Sequence, residues 1–428
     1  MYRRKPTLSL PGPNDIVRQT LPNGLTMLVR ENFASPTVVI SGYLNAGAAD
    51  VAVDKIGLAS FAADVLERGT HKRSFTQLYE EIESIAASFG LSAGIHTTSF
   101  GAKGLAEHLP LLLDILSDVV RHPAFAKEQV EKARAEILTD IQERENDTQR
   151  MAALTFRGLA YPEAHPLHWS QTGYPETIQR ITRDDLAQFH AQFFAPAEAV
   201  IVVVGAVKAA VAAQAIADAF NDWQGSRPAR PALPPVPTLT ARRKQRLALD
   251  DKTQSDLILG WPGPARLDPD FVPCFVANTV FGIFGMYGRL GKIIREANGL
   301  AYYVYSQIEG GKAPGPWRVI AGVNPTNVDK TVALIVEELH RIRDTRVPKD
   351  ELNDSQSFLT GSLPLQLETN EGVAHALVNI ERYNLGLDYL QRYTEMIMSV
   401  TPQDIQDVAQ RWLDPEHYAL AIAGPAVE

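Results

Sequence analysis

Ile181-Thr182-Arg183-Asp184-Asp185-Leu186, followed by Phe193, Pro196 and the apolar run Val200 to Gly205, returns later as Val400-Thr401-Pro402-Gln403-Asp404-Ile405. Trp412, Pro415 and the run Ala419 to Gly424 follow the second copy. The offset is constant, since 401 − 182, 404 − 185, 412 − 193, 415 − 196 and 424 − 205 all equal 219. Near the start of each half, Val38-Val39-Ile40-Ser41-Gly42-Tyr43 matches Asp256-Leu257-Ile258-Leu259-Gly260-Trp261 at 260 − 42 = 218. A repeat that keeps its spacing over so long a stretch makes the chain two copies of one unit, and that decides the fold class.

Gly225 to Pro237, with prolines at 228, 231, 234, 235 and 237, reads as a semi-rigid connector. The expected organisation is an N-terminal repeat over 15–224, a linker over 225–245 and a C-terminal repeat over 246–428. Within the first copy, Thr26 to Arg30 and Thr37 to Leu44 pattern as strands, as do Leu91 to Phe100 and Ala199 to Gly205. Ser74 with Gln77 forms a capping box for a helix carrying Phe75, Leu78, Ile82, Ile85 and Phe89 and ending at Gly90. Helical patterns cover Leu105 to Val120, Lys127 to about Leu159, and Thr182 to Phe193. Such an order predicts an α+β fold in which each half is a mixed, mainly antiparallel sheet with helices on one face.

Composition narrows the function. Apolar residues make up 45% of the 428 and charged residues 21%, as in a globular protein. A net charge of −9 gives no basic footprint for nucleic acid or anionic lipid, and the basic cluster Arg242 to Arg246 reads as a solvated linker end. No stretch has the length of a membrane span. The N-terminal residues lack the apolar core of a signal peptide. The chain is therefore expected in the cytoplasm, or in the periplasm if it is a processed form. The single cysteine, Cys274, lies in an apolar helical run and cannot form an intramolecular disulfide.

Two α+β repeats, the segment Gly57-Leu58-Ala59-Ser60-Phe61-Ala62-Ala63-Asp64-Val65-Leu66-Glu67-Arg68-Gly69-Thr70, and Leu21-Pro22-Asn23-Gly24-Leu25 before the first strands resemble the insulinase/pitrilysin family of zinc metallopeptidases. The resemblance runs from about Leu21 to Gly424 and implies a chain forming half of a clamshell. Active members carry HxxEH in the first of those segments, two zinc ligands and a general base on one helix. Here the corresponding positions are Ser60, Ala63 and Asp64, and the family's third ligand, a glutamate, falls at Asp140. The resemblance thus implies no metal in this chain. His165 and His168 sit in a proline-containing loop and match a structural stretch of the family.

Phe281 to Ser306 is similar to the family's C-terminal signature, with Gly299-Leu300-Ala301-Tyr302 and an Arg and Tyr seven residues apart, Arg295 and Tyr302. Leu290 to Glu296 reads as a short helix closed by Asn298-Gly299, and Leu300 to Ser306 as the next strand. The resemblance implies that Tyr302 donates to the tetrahedral intermediate of peptide hydrolysis while Arg295 holds a substrate carbonyl or orients the tyrosine. Gly282, Gly285 and Gly288 could let a peptide backbone approach closely. Some family enzymes divide their site between two homologous chains. The expectation is an Arg/Tyr subunit that is inactive alone and works with an HxxEH-bearing partner holding the zinc, on peptide substrates. The alternatives are a non-catalytic structural or peptide-binding homologue and, without a partner, a homodimer.

Overall fold

The computed structural model describes residues 10–426, apart from the side chains of residues 285–287. The first sheet contains β1 (Val17–Thr20), β2 (Thr26–Glu31), β3 (Thr37–Leu44), β4 (Ser88–Ala93), β5 (Thr98–Leu105) and β6 (Val200–Gly205). Their spatial order is β1-β2-β6-β3-β5-β4. The second contains β7 (Arg243–Ala248), β8 (Ser255–Pro262), β9 (Ala301–Ile308), β10 (Pro316–Val323) and β11 (Ala419–Gly424), in the order β7-β11-β8-β10-β9. Removing β1 makes the two orders the same, with one parallel pair in each, β2 with β6 and β7 with β11. The repeat read from sequence is thus a repeat of topology.

Packing divides the chain differently from the repeat. Of the described residues, one compact unit comprises 10–138, 171–231 and 362–394, and the other 139–170, 232–361 and 395–426. Each half lends a helix to the other half's sheet. In the first unit, Leu28, Val39, Val200, Val202 and Val204 on one sheet face bury against Val373, Leu377, Val378 and Ile380 of the helix Asn370–Arg382. The alternate residues Met27, Val29, Ile40, Ile201 and Val203 are equally buried on the opposite face, where the unit's own helices Leu109–Arg121 and Ala209–Phe220 lie. A sheet with two apolar faces needs cover on both. The helices Leu109–Arg121 and Ala209–Phe220 lie on one face, as expected; the exchanged helix lies on the other. In the second unit the helix Thr148–Ala160 lies along β7, β8 and β11.

Three further readings are corrected. The helical pattern from Lys127 to Leu159 is two helices, Lys127–Glu145 and Thr148–Ala160, because Asp147 caps the second by accepting from the Arg150 amide at 2.7 Å. Leu91 to Phe100 is a hairpin, β4 and β5, and the helix before it stops at Ser84. The basic cluster Arg242 to Arg246 is mostly strand: β7 is an exposed edge, where charged side chains block pairing with other chains. The proline-rich connector is tethered by Arg227 and Arg230, both paired with the buried Asp50.

Candidate functional site

The helix Leu58–Leu66, where zinc ligands would lie, is built for packing. Leu58, Phe61, Ala62, Ala63 and Val65 are buried, and Asp64 is exposed. The Ser60 hydroxyl donates to the Gln171 carbonyl at 2.8 Å. In the other unit, both carboxylate oxygens of Asp140 accept from Arg150, at 2.9 and 3.0 Å. A hydroxyl engaged with backbone and a carboxylate held by a guanidinium do not make a zinc donor set, which calls for nitrogen or sulfur ligands with some carboxylate. Among the described residues no group of three or more His, Cys, Asp or Glu is placed to hold a metal ion. The residues here do not fit zinc.

One carboxyl at the end of that helix was not anticipated. Glu67 accepts from the Leu91 amide of edge strand β4 and from the Tyr79 hydroxyl at 3.5 Å. Burial, reinforced by the charge of Asp64, pushes its pKa up to about 7.

The loop histidines are structural. His165 is buried, accepts from the Leu167 amide at 3.1 Å and is held below the usual imidazole pKa by burial. Cys274 is buried in the helix Phe271–Gly282, which raises its thiol pKa and keeps it protonated.

The Arg/Tyr segment departs from regular backbone at both residues. Arg295, half-buried, lies in a π-helical turn, Gly291–Ala297. Its carbonyl accepts from the Gly299 amide at 3.0 Å, while the Leu300 amide reaches the Ile294 carbonyl at 2.9 Å. Gly299 takes φ = +62° and closes the turn, as read from Asn298-Gly299. The chain then enters β9, which among the described residues is an edge strand paired with β10 alone. In that ladder Tyr303 opposes Gly322 and Ala301 opposes Val323, so Tyr302 is the extra residue of a β-bulge. Its side chain is 81% exposed. Wide helical turns and bulges both recur where a side chain must be re-aimed.

The residue after the bulge is clamped. The Tyr303 hydroxyl donates to Asp256 at the start of β8, and the same buried carboxylate accepts from the Thr148 hydroxyl. Burial and the Asp256 charge push the Tyr303 phenol up. Sequence reading passed over Asp256 and Tyr303; the available signal was an acidic residue opening the apolar run Leu257-Ile258-Leu259.

The glycines make their close approaches within the chain. A Cβ on Gly282 would come within 2.4 Å of the Ser306 nitrogen, and one on Gly288, at φ = +61°, within 2.6 Å of the Val280 carbonyl oxygen. These two positions pack helix against strand and helix against turn. Gly285 lies outside the described residues.

Comparison with known proteins places this geometry in a family. Residues 26–163 match the model for "Insulinase (Peptidase family M16)", and residues 180–359 match that for "Peptidase M16 inactive domain". An uncharacterized zinc protease of Streptomyces coelicolor is 26% identical over 97% of this chain and 90% of its own. A probable mitochondrial-processing peptidase subunit beta of Arabidopsis thaliana is 22% identical over 95% of this chain and 78% of its own. A non-peptidase homolog from Helicobacter pylori is 25% identical over 89% of this chain and 87% of its own. The crystal structure of a peptidase M16 inactive domain from Pseudomonas fluorescens superposes with a TM-score of 0.88 at 22% identity, covering 96% of this chain and 99% of that one. Two family models spanning both repeats and relatives matched over almost the whole chain agree: this protein is a member of the insulinase family, peptidase family M16.

Proposed function

We propose that the chain is the Arg/Tyr-bearing subunit of a heterodimeric zinc metalloendopeptidase, inactive by itself and completed by a homologous chain that carries HxxEH and the zinc. The observation that carries this reading is the presentation of Tyr302, an exposed phenol on a bulge of an edge strand, next to a π-helical turn bearing Arg295. Burying or pairing an aromatic is what packing favours. Here the strand instead spends a ladder position to turn a tyrosine outward, and the next residue is locked to Asp256.

Peptide hydrolysis turns a carbonyl oxygen into an oxyanion, and fixed donors aimed at it lower the barrier. Tyr302 would donate its phenolic proton to that oxygen. Arg295 would hold a neighbouring substrate carbonyl or orient the phenol. Peptide would bind extended, by adding to a sheet edge. The name of the Arabidopsis relative, a peptidase subunit, supports a divided site.

A second reading is a peptide-binding homologue without catalysis, favoured by the non-peptidase name of the Helicobacter relative and by the lost metal residues. Mixing the purified chain with the HxxEH homologue of its own organism separates the two. A one-to-one complex that cleaves peptides when neither chain does so alone supports the divided enzyme. A complex that binds peptide without cleaving it supports the second reading, and cleavage by this chain alone overturns both.

A further inference from the structure

Three strands of the second sheet meet in one row beside the bulge. Asp256 on β8 and Tyr303 on β9 are both paired with Gly322 on β10, the strand between them. The tyrosine ring lies across that glycine, where an added Cβ would come within 2.6 Å of the ring's Cε1 atom. The phenol thereby spans a whole strand to donate to the buried Asp256 carboxylate. The same carboxylate accepts from the hydroxyl of Thr148, the first residue of the helix Thr148–Ala160, and from Gln254 Nε2 at 3.2 Å. One residue further along β10 the register shifts, Val323 pairs with Ala301, and Tyr302 is left out of the ladder.

The first repeat holds the same row in apolar form. There Val38, which is buried, pairs with Gly104, and the group beside that glycine is the Cβ of Ala87. The correspondence follows from the repeat, since 256 − 38 and 322 − 104 both equal 218. The fold therefore closes with an apolar row, and placing a buried carboxylate in it carries a desolvation cost that folding does not require. The strap from Tyr303 to Asp256 stands in the copy that bears Tyr302. A bulge can migrate along its strand. One step further, Tyr302 would pair with Gly322 and Tyr303 would become the extra residue. That step is opposed because Tyr303 must stay opposite Gly322 to reach Asp256. We infer that Asp256 is a positioning residue for Tyr302: acting through Tyr303 across Gly322, it pins the bulge and so the place of the exposed phenol. The inference rests on the reading of Tyr302 as an oxyanion donor and adds the groups that fix its aim.

Steady-state peptide cleavage by the one-to-one mixture with the HxxEH homologue tests it. The unaltered chain is compared with Tyr302→Phe, Tyr303→Phe and the double variant Asp256→Val/Tyr303→Phe. The double variant removes both partners together, as in the first repeat, so no buried carboxylate is left unmatched and the fold is expected to hold. Tyr303→Phe and the double variant are each expected to lower kcat about ten-fold or more while KM stays within about two-fold, because a misplaced donor slows the chemical step rather than binding. In a Tyr302→Phe background neither should lower kcat further, since both act through that residue. Unchanged kcat in both, with kcat lost in Tyr302→Phe, would overturn the inference and leave the reading of Tyr302 standing. A further fall in the Tyr302→Phe background would also overturn it, and undiminished cleavage with Tyr302→Phe would overturn inference and reading together. Tyr303→Phe alone carries the test if the double variant does not fold. Should no mixture cleave peptide, a crystal structure of the variant chain decides: a bulge moved off Tyr302 upholds the positioning role, and an unmoved bulge overturns it.

Discussion

Glu67 permits a quantitative test of how the emptied helix end is held. Its carboxyl rises from an ordinary value of 4.5 to about 7 in the folded chain, chiefly through burial. At 1.36 kcal/mol per pH unit, that displacement bounds the linkage at about 3.4 kcal/mol. Partial exposure of the carboxyl screens it, and about 2 kcal/mol is the working expectation. The folded state holds this proton more tightly than the unfolded one. The stabilisation is therefore complete below pH 4.5 and is lost as pH rises through 7. Glu67→Gln imitates the protonated form, can still accept from the Leu91 amide, and cannot ionise. Thermal midpoints of the two proteins, measured from pH 4 to 8.5, should nearly coincide at pH 4. They should separate by about 4–8 °C in favour of Glu67→Gln at pH 8.5, given about 2–4 °C per kcal/mol for a unit of this size. A separation that does not change with pH, or a Glu67→Gln protein less stable at high pH, would refute the reasoning.

Other consequences follow from the same geometry. Residues 15–224 expressed alone should aggregate, because the sheet face that Val373 and Leu377 cover is left bare; adding a 362–394 peptide should restore soluble, folded protein, as read by circular dichroism. Gly282→Ala should lower stability by about 1–3 kcal/mol in chemical denaturation, since its Cβ meets the Ser306 nitrogen at 2.4 Å; an unchanged midpoint with altered peptide affinity would instead favour a peptide-binding role for this glycine. Tyr303→Phe removes the donor to buried Asp256 and should cost about 1–3 kcal/mol.

Periodicity and turn chemistry made most of the architecture readable. Thr182 and Thr401 both cap their helices by accepting from the amide of the aspartate three residues on, at 3.1 and 3.2 Å, so the quoted repeat marks the same structural corner twice. Asn298-Gly299 announced the left-handed turn between Arg295 and Tyr302 for the same local reason. The exchange of helices was not readable, because Asn370–Arg382 has an amphipathic pattern that fits any apolar face, and nothing local says which sheet receives it. β7 was hidden by its charges, which suit an exposed edge as well as a linker. At the site, residue types and spacing were visible, but the backbone irregularities that present Arg295 and Tyr302 depend on strand pairing. The bulge exists only in relation to Gly322 and Val323 on the neighbouring strand.

The central claim is that Tyr302 serves a reaction whose metal lies in another chain. The direct measurement is kcat/KM for peptide cleavage by the one-to-one mixture with the HxxEH homologue, comparing the unaltered chain with Tyr302→Phe and Arg295→Ala. Loss of one oxyanion donor predicts a fall of about 100- to 1,000-fold for Tyr302→Phe, with complex formation and the mixture's zinc content unchanged. Undiminished cleavage by mixtures containing Tyr302→Phe and Arg295→Ala would contradict the account.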